Sequence, residues 1–302
     1  MQLTEYSAFT IPGQVSVEEG KGGLPVIRVR NTCAQADIYL HGAHVTHFEP
    51  TGGKPLLWLS DASPFVTGKA IRGGIPVCFP WFGPHKTNKD FPVHGIARFR
   101  SWTLQSVATL SDGRTRVVLA LSSSDETRSF WPHDFLLELA VVVGPSLELE
   151  LTAYNTDSEP FLYEDCLHTY FSVGDVTKTS VSGLDGVGYI DRTRSDARSV
   201  QTGPVVPSCE TVNAYMQAPS RTELADTAGD RKIIMEQNGF KSTVVWTPWE
   251  ATAAKNPEMV DRWRGFLCVE GANCLDANVV LLPGTSHRSY IKYTTEKIPA
   301  LS

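Results

Sequence analysis

Two short stretches of this sequence carry residue types that can move protons. The first is "PFLYEDCLHTYFSVGD", residues 160–175. Read as a strand, it alternates. Glu164, Cys166, His168 and Tyr170 fall on one face, and Phe161, Tyr163, Leu167 and Phe171 mostly on the other. A face that mixes glutamate, histidine and tyrosine suits a cleft, because imidazole changes charge close to neutral pH. A surface strand with a satisfied histidine fits the spacing equally well. The second stretch is "RGFLCVEGANCLD", residues 264–276. Glu270 ends the apolar run 266–269. Half-burial there would raise the carboxyl pKa toward that of a useful general base. The plainer reading is a loop glutamate at a strand exit, and spacing alone favours it.

A third stretch could hold an anion. Residues 69–100 contain Lys69, Arg72, Lys86, Lys89, Arg98 and Arg100 against only Asp90, in a chain of net charge −6. Arg72 stands in "IRGGIP" and Arg98 in "HGIAR", both beside glycine. Glycine lets a ligand approach the main chain closely. The guanidinium fork suits phosphate or carboxylate oxygens. For Lys86, Lys89 and Arg100 a solvated surface is the favoured reading. For Arg72 and Arg98 it is an anion pocket. Trp246 and Trp249 flank Pro248 in "TVVWTPWEA" and fit either a stacking wall for a sugar or core. His41, His44 and His47 do not make a convincing metal site, because a strand turns His44 away from the other two.

The elements that must position these residues are strands. "PVIRVRN", "ADIYLHG", "RTRVVLALSS", "FLLELAVVVG", "LELELTAYN", "TVVWTPW" and "SYIKYTT" alternate with period two. Turn signals such as "TGG", "SDGR" and "NTDSE" separate them. The one helical signal, "ETRSFWPHD", is cut short by Pro132. The segment "AIRGGIPVCFPWFGPH" holds Pro76, Pro80 and Pro84 and suits neither a helix nor a central strand. It reads as an irregular wall of fixed shape. An all-β sandwich of one domain, residues 1–302, follows.

Composition narrows the function classes. The chain has 302 residues, 41% hydrophobic and 20% charged, enough for a large core. Its negative balance favours neither nucleic acid nor an anionic membrane. Runs such as "LAVVVG" are too short to span a bilayer. No basic region followed by an apolar core opens the sequence, so no signal peptide is expected. Six cysteines without a C-x-x-C read as free thiols of a reducing, cytoplasmic compartment.

Taken in order, "IRGGIPVCFPWFG", "HGIAR", "FWPHDFLLEL", "LHTYFSVGD", "VSGLDG", "VVWTPW" and "CVE" resemble the hexose-6-phosphate mutarotases from about residue 25 to 293. These are also called glucose-6-phosphate 1-epimerases, a branch of the aldose 1-epimerase superfamily. The resemblance implies a large antiparallel β-sandwich similar to galactose mutarotase, with no metal and no organic cofactor. It implies His168 as catalytic acid, entering as imidazolium, and Glu270 as catalytic base, on opposite sides of the anomeric centre. It implies Arg72 and Arg98 as substrate-binding arginines and His94 as a residue lining the sugar site; Trp249 is expected there as well. The expected partner is a small sugar phosphate and the expected state a monomer. Two positions depart from the family pattern. Val93 stands where glutamine is frequent and Val212 where aspartate is frequent, with Asn213 adjacent. Both departures remove a polar contact to the sugar or its phosphate. The alternatives are an aldose 1-epimerase for unphosphorylated sugars and a carbohydrate-binding or sensing protein without turnover.

Overall fold

The computed structural model describes residues 3–298. Two eight-stranded sheets dominate it, and every strand pair is antiparallel. One sheet orders its strands as Thr179–Ser182, Arg221–Asp226, Arg231–Asn238, Ser286–Lys297, Leu147–Asn155, Phe135–Val143, Thr115–Ser122 and Thr103–Thr109. The other runs Ala197–Val200, Gly188–Asp191, Thr211–Met216, Ser242–Thr247, Phe266–Asn273, Asp165–Leu167 and Val77–Cys78, with Tyr170–Ser172 also paired to Phe266–Asn273. A four-stranded sheet built from residues 15–50 and a two-stranded ribbon complete the fold. The period-two reading therefore holds, and the architecture is the expected β-sandwich. The expected helix is a single turn, Asp125–Arg128, with Ser124 and Thr127 forming a capping box.

Alternation divides the second sheet into two faces. Leu167, Tyr215, Val245, Leu267 and Val269 join Leu149, Leu151, Ile291 and Tyr293 of the first sheet in one hydrophobic core. Cys166, Val212, Val244, Trp246, Cys268 and Glu270 point the other way, as the register requires. The strand Phe266–Asn273 is buried along its whole length. Its sequence is accordingly an apolar run in which one carboxylate stands out. Glu270 is thus mid-strand rather than at a strand exit.

The proline-rich segment forms the rim above that face. It carries only the two-residue strand Val77–Cys78, which pairs with Asp165–Leu167. The Phe79–Pro80 peptide is cis. The "HGIAR" segment docks on it: Phe79 bridges Gly95, and the Ile96 N–H donates to the Phe79 carbonyl at 2.7 Å. Gly95 has φ +74°, and a Cβ there would lie 2.0 Å from the Phe79 oxygen. Only glycine fits both demands. Gly95→Ala should cost roughly 2–4 kcal/mol of stability, as strain and overpacking combine. Urea unfolding checks this, and a midpoint unchanged from wild type would mean that the rim loop is pliable.

Candidate active site

Irregular backbone over a buried strand leaves a pocket of about 320 Å³, large enough for a monosaccharide derivative. Its floor is Glu270, His168 and Val244; Phe82, Gly83, Pro84, Val93 and His94 form one wall, and Arg72, Arg192, Val212 and Trp246 complete it. Each side chain reaches it for a local reason. His168 lies between the strands Asp165–Leu167 and Tyr170–Ser172, with its N–H donating to the Pro76 carbonyl at 3.0 Å. Its ring stacks on Tyr170 at 4.9 Å and meets Trp246 edge-on at 5.6 Å. These contacts fix its plane.

His168 and Glu270 meet directly. Nδ1 of His168 lies 3.4 Å from Oε1 of Glu270, and both atoms are buried without a hydrogen-bond partner among the described residues. Oε2 of Glu270 accepts from the Cys166 thiol at 3.0 Å. Burial pushes the Glu270 carboxyl well above the usual carboxylate range. Burial, and then the charges of Arg98 and Arg72, pull the His168 imidazole down to about 3. Both shifts disfavour the ionised forms. The proton of the pair therefore rests on Glu270, and the imidazole is neutral. This differs from an imidazolium waiting opposite a carboxylate. The two groups lie side by side.

Arg72 is braced from several sides. Its Nη1 donates to the Tyr170 hydroxyl at 3.1 Å, its Nε lies 3.3 Å from Oε2 of Glu258, and its N–H donates to Ser63 Oγ at 2.9 Å. Two of the histidines with no metal reading have a structural task here. His41 Nε2 donates to the Lys69 carbonyl at 2.6 Å and His44 Nε2 to the Gly73 carbonyl at 2.7 Å. Together they clamp the backbone on both sides of Arg72. His94 accepts from the Gly83 N–H at 3.1 Å through Nδ1, which leaves its proton on Nε2.

Four of the six sequence-expected residues border the pocket: Arg72, His94, His168 and Glu270. Arg98 sits behind the wall. Its Nη2 donates to the Val93 carbonyl at 2.6 Å, and its charge acts on His168 and His94 from there. Trp249 lies outside the lining. It opens the short helix Trp249–Ala253 and packs on Trp263 at 4.9 Å, leaving Trp246 as the pocket tryptophan. Glu164 and Asp165, the other nearby acids, are committed elsewhere. Glu164 accepts from the N–H groups of Phe82 and Leu275, and Asp165 from the Asn273 amide.

Sequence reasoning missed Arg192. It follows the strand Gly188–Asp191, and its N–H donates to the Val212 carbonyl at 2.9 Å. Its Nε lies 3.0 Å from Oδ1 of the exposed Asp196. Such a screened pair is weak, so its guanidinium is less committed than that of Arg72. The available signal was its place two residues after buried Ile190, on the same face of the strand. The charged run "RTRSDAR" hides it as a solvated turn.

Ligating atoms of His168, Cys268 and Glu270 lie within 4.8 Å of one another. Arg72 and Arg98 oppose a cation there, and burial keeps the Cys268 thiol protonated. The charges fit a proton-sharing pair better than a metal centre. A buried acid whose folded pKa is raised stabilises the fold fully below its unfolded pKa, near 4.5. That contribution is lost as pH climbs toward the folded value. Glu270→Gln should therefore gain on wild type in melting temperature as pH rises from about 4.5 to 8. The expected gain is a few degrees, since each pKa unit is worth about 1.4 kcal/mol. A pH-independent difference would mean that Glu270 is ionised in the native state.

Comparison with known proteins agrees with this architecture. The sequence pattern of the family described as aldose 1-epimerase matches residues 25–294. A protein of Cenchrus ciliaris named "Putative glucose-6-phosphate 1-epimerase" is 35% identical over 272 residues, 87% of this chain and 81% of its own. One of the same name from Escherichia coli K12 is 36% identical over 266 residues, covering 87% and 88%. A crystal structure titled "putative mutarotase" from Salmonella typhimurium superposes with TM-score 0.89 at 30% identity, covering 99% of this chain and 100% of that one. The chain belongs to the aldose 1-epimerase family, a family of isomerases.

Proposed function

We propose that this protein interconverts the α and β anomers of hexose 6-phosphates, glucose 6-phosphate foremost. The contact between His168 and Glu270 at the pocket floor carries the reading. Ring opening needs one group to take the O1 proton and another to give a proton to the ring oxygen. O1 and the ring oxygen share one carbon, so two adjacent groups can serve both. A phosphorylated sugar brings negative charge among Arg72, Arg98 and Arg192. It offsets the arginine charges that add to burial in disfavouring the imidazolium, and the pair's proton passes from Glu270 to the imidazole. The Glu270 carboxylate then takes the O1 proton as His168 protonates the ring oxygen. The C1–O5 bond breaks, the aldehyde turns about C1–C2, and closure reverses the transfers.

Arg72 and Arg192 border the pocket and receive the anion in this reading; Arg98 supports them from behind, and His94 lines the sugar. Four buried free thiols among the six cysteines suit a cytoplasmic enzyme. No described helix is long and apolar enough to cross a membrane. We take residues 1–302 as one catalytic unit that works as a monomer. One observation favours a second reading, an epimerase for unphosphorylated aldoses: Val93 and Val212 both border the pocket, and neither offers a polar contact to a phosphate.

His168→Asn and Glu270→Gln should each lower turnover at least about a hundredfold with the fold retained. Anomer-exchange NMR on glucose 6-phosphate measures it, and near wild-type exchange in either variant would remove that residue from the mechanism. Arg192→Ala and Arg72→Ala should each lower kcat/KM for glucose 6-phosphate by about one to two decades, the worth of a charge-assisted contact. Exchange of free glucose should change far less. Equal losses on both sugars would mean that the arginines only shape the pocket. A wild-type enzyme faster on free glucose than on its 6-phosphate would select the second reading.

A further inference from the structure

The thiol of Cys166 has no part in the proton transfers just described, yet it holds the carboxyl that performs them. Cys166 is fully buried in the strand Asp165–Leu167, opposite Ala272 on one side and Cys78 on the other. Its Sγ lies 3.0 Å from Oε2 of Glu270, the only hydrogen bond to that carboxyl among the described residues. Oε1, the oxygen facing His168, is the one left without a partner.

Resting on the acid–base reading of His168 and Glu270, we propose that Cys166 is a positioning residue of the reaction. It anchors Oε2 of Glu270, so that Oε1 alone exchanges protons with His168 and the sugar. The choice of thiol has a consequence. S–H is a weak donor. It fixes the carboxyl's orientation while stabilising the anion less than a hydroxyl or a backbone N–H would. Burial raises the Cys166 thiol well above its ordinary range, so it remains a donor at neutral pH. The other titratable groups around Glu270 are His168, Cys268 of its own strand, Cys274 just beyond the end of that strand, Cys78 across the Cys166 strand, and Tyr293 from the opposing sheet. Burial keeps Cys268, Cys274 and Tyr293 protonated through the neutral range, and His168 is the group that faces Oε1.

Substitution by a stronger donor and by none tests this. The basic limb of kcat/KM against pH for glucose 6-phosphate exchange reports loss of the one proton that the pair shares and that rests on Glu270. Cys166→Ser should move that limb to lower pH, and Cys166→Ala to higher pH. Each shift should be roughly half to one pH unit, the worth of one hydrogen bond. A merely structural role would change activity or stability and leave the limb where it is. An unmoved limb in both active variants overturns the proposal, as does a shift of the same sign in both. If the alanine variant does not fold, the serine variant decides: its limb moves down or the proposal falls. The infrared S–H band that disappears in Cys166→Ser should also shift in Glu270→Gln, and a band unaffected by Glu270→Gln denies the contact. A wild-type protein with no exchange removes the acid–base reading itself, and is told apart by the blank shared by all variants.

Discussion

Everything in this site depends on the cost of keeping a carboxyl and an imidazole away from water in the middle of a sheet. Neither group has a counter-ion of its own; each has the other. Low polarity penalises any state in which one of them is charged alone, and separated charges gain little from solvent. One proton shared between two atoms is the state such a site tolerates. The surrounding architecture keeps that environment dry. Strand Phe266–Asn273 is buried on both faces, and Gly271 lets the opposing sheet approach directly beneath Glu270. A Cβ there would lie 2.9 Å from Ile291 Cδ1 and Gln237 Oε1. The spacing of the two sheets thus sets the position of Glu270.

The rim obeys a second constraint, the satisfaction of polar groups in irregular backbone. Residues 70–100 hold little regular structure, so side chains from elsewhere supply their hydrogen bonds. His41 and His44 cap carbonyls beside Arg72, and Glu164 receives the Phe82 N–H. The histidines are neutral for the same reason that they are useful there: burial lowers their pKa values, His44 to about 3. Rigidity of the wall therefore comes from three chain segments that a sequence scan reads as unrelated.

Legibility in the sequence followed periodicity. Period-two alternation gave the sandwich, and it placed Cys166, His168 and Tyr170 on the same face. Glu270 was harder, because a charge after an apolar run resembles a strand exit. Only pairing on both sides reveals that the strand continues to Asn273. Arg98 and Trp249 looked alike to Arg72 and Trp246 by their glycine and proline neighbours, but local composition does not say on which side of a wall a long side chain ends. Arg192 was invisible for the converse reason. It owes its place to lateral strand order, which brings residue 192 beside residue 212 and, through it, toward residue 246. The protonation state of the pair was also beyond the sequence, since it arises from burial and from arginines distant in the chain.

The identity of the cations in the wall has a chemical meaning of its own. Opening a sugar ring liberates an aldehyde, an electrophile that condenses with primary amines to form imines. Arg72 and Arg192 are the cations of the lining, and neither presents a nucleophilic amine. Lysine would offer the same charge to an anion and, when desolvated, an amine that traps the open chain. Lys86, a lysine of the rim segment, stands mostly in solvent and pairs with the buried Glu164 carboxylate at 3.4 Å. In the reading proposed above, a lining whose cations are guanidinium groups offers the open-chain sugar no ammonium-derived amine to condense with, and closing again is the fate left to it.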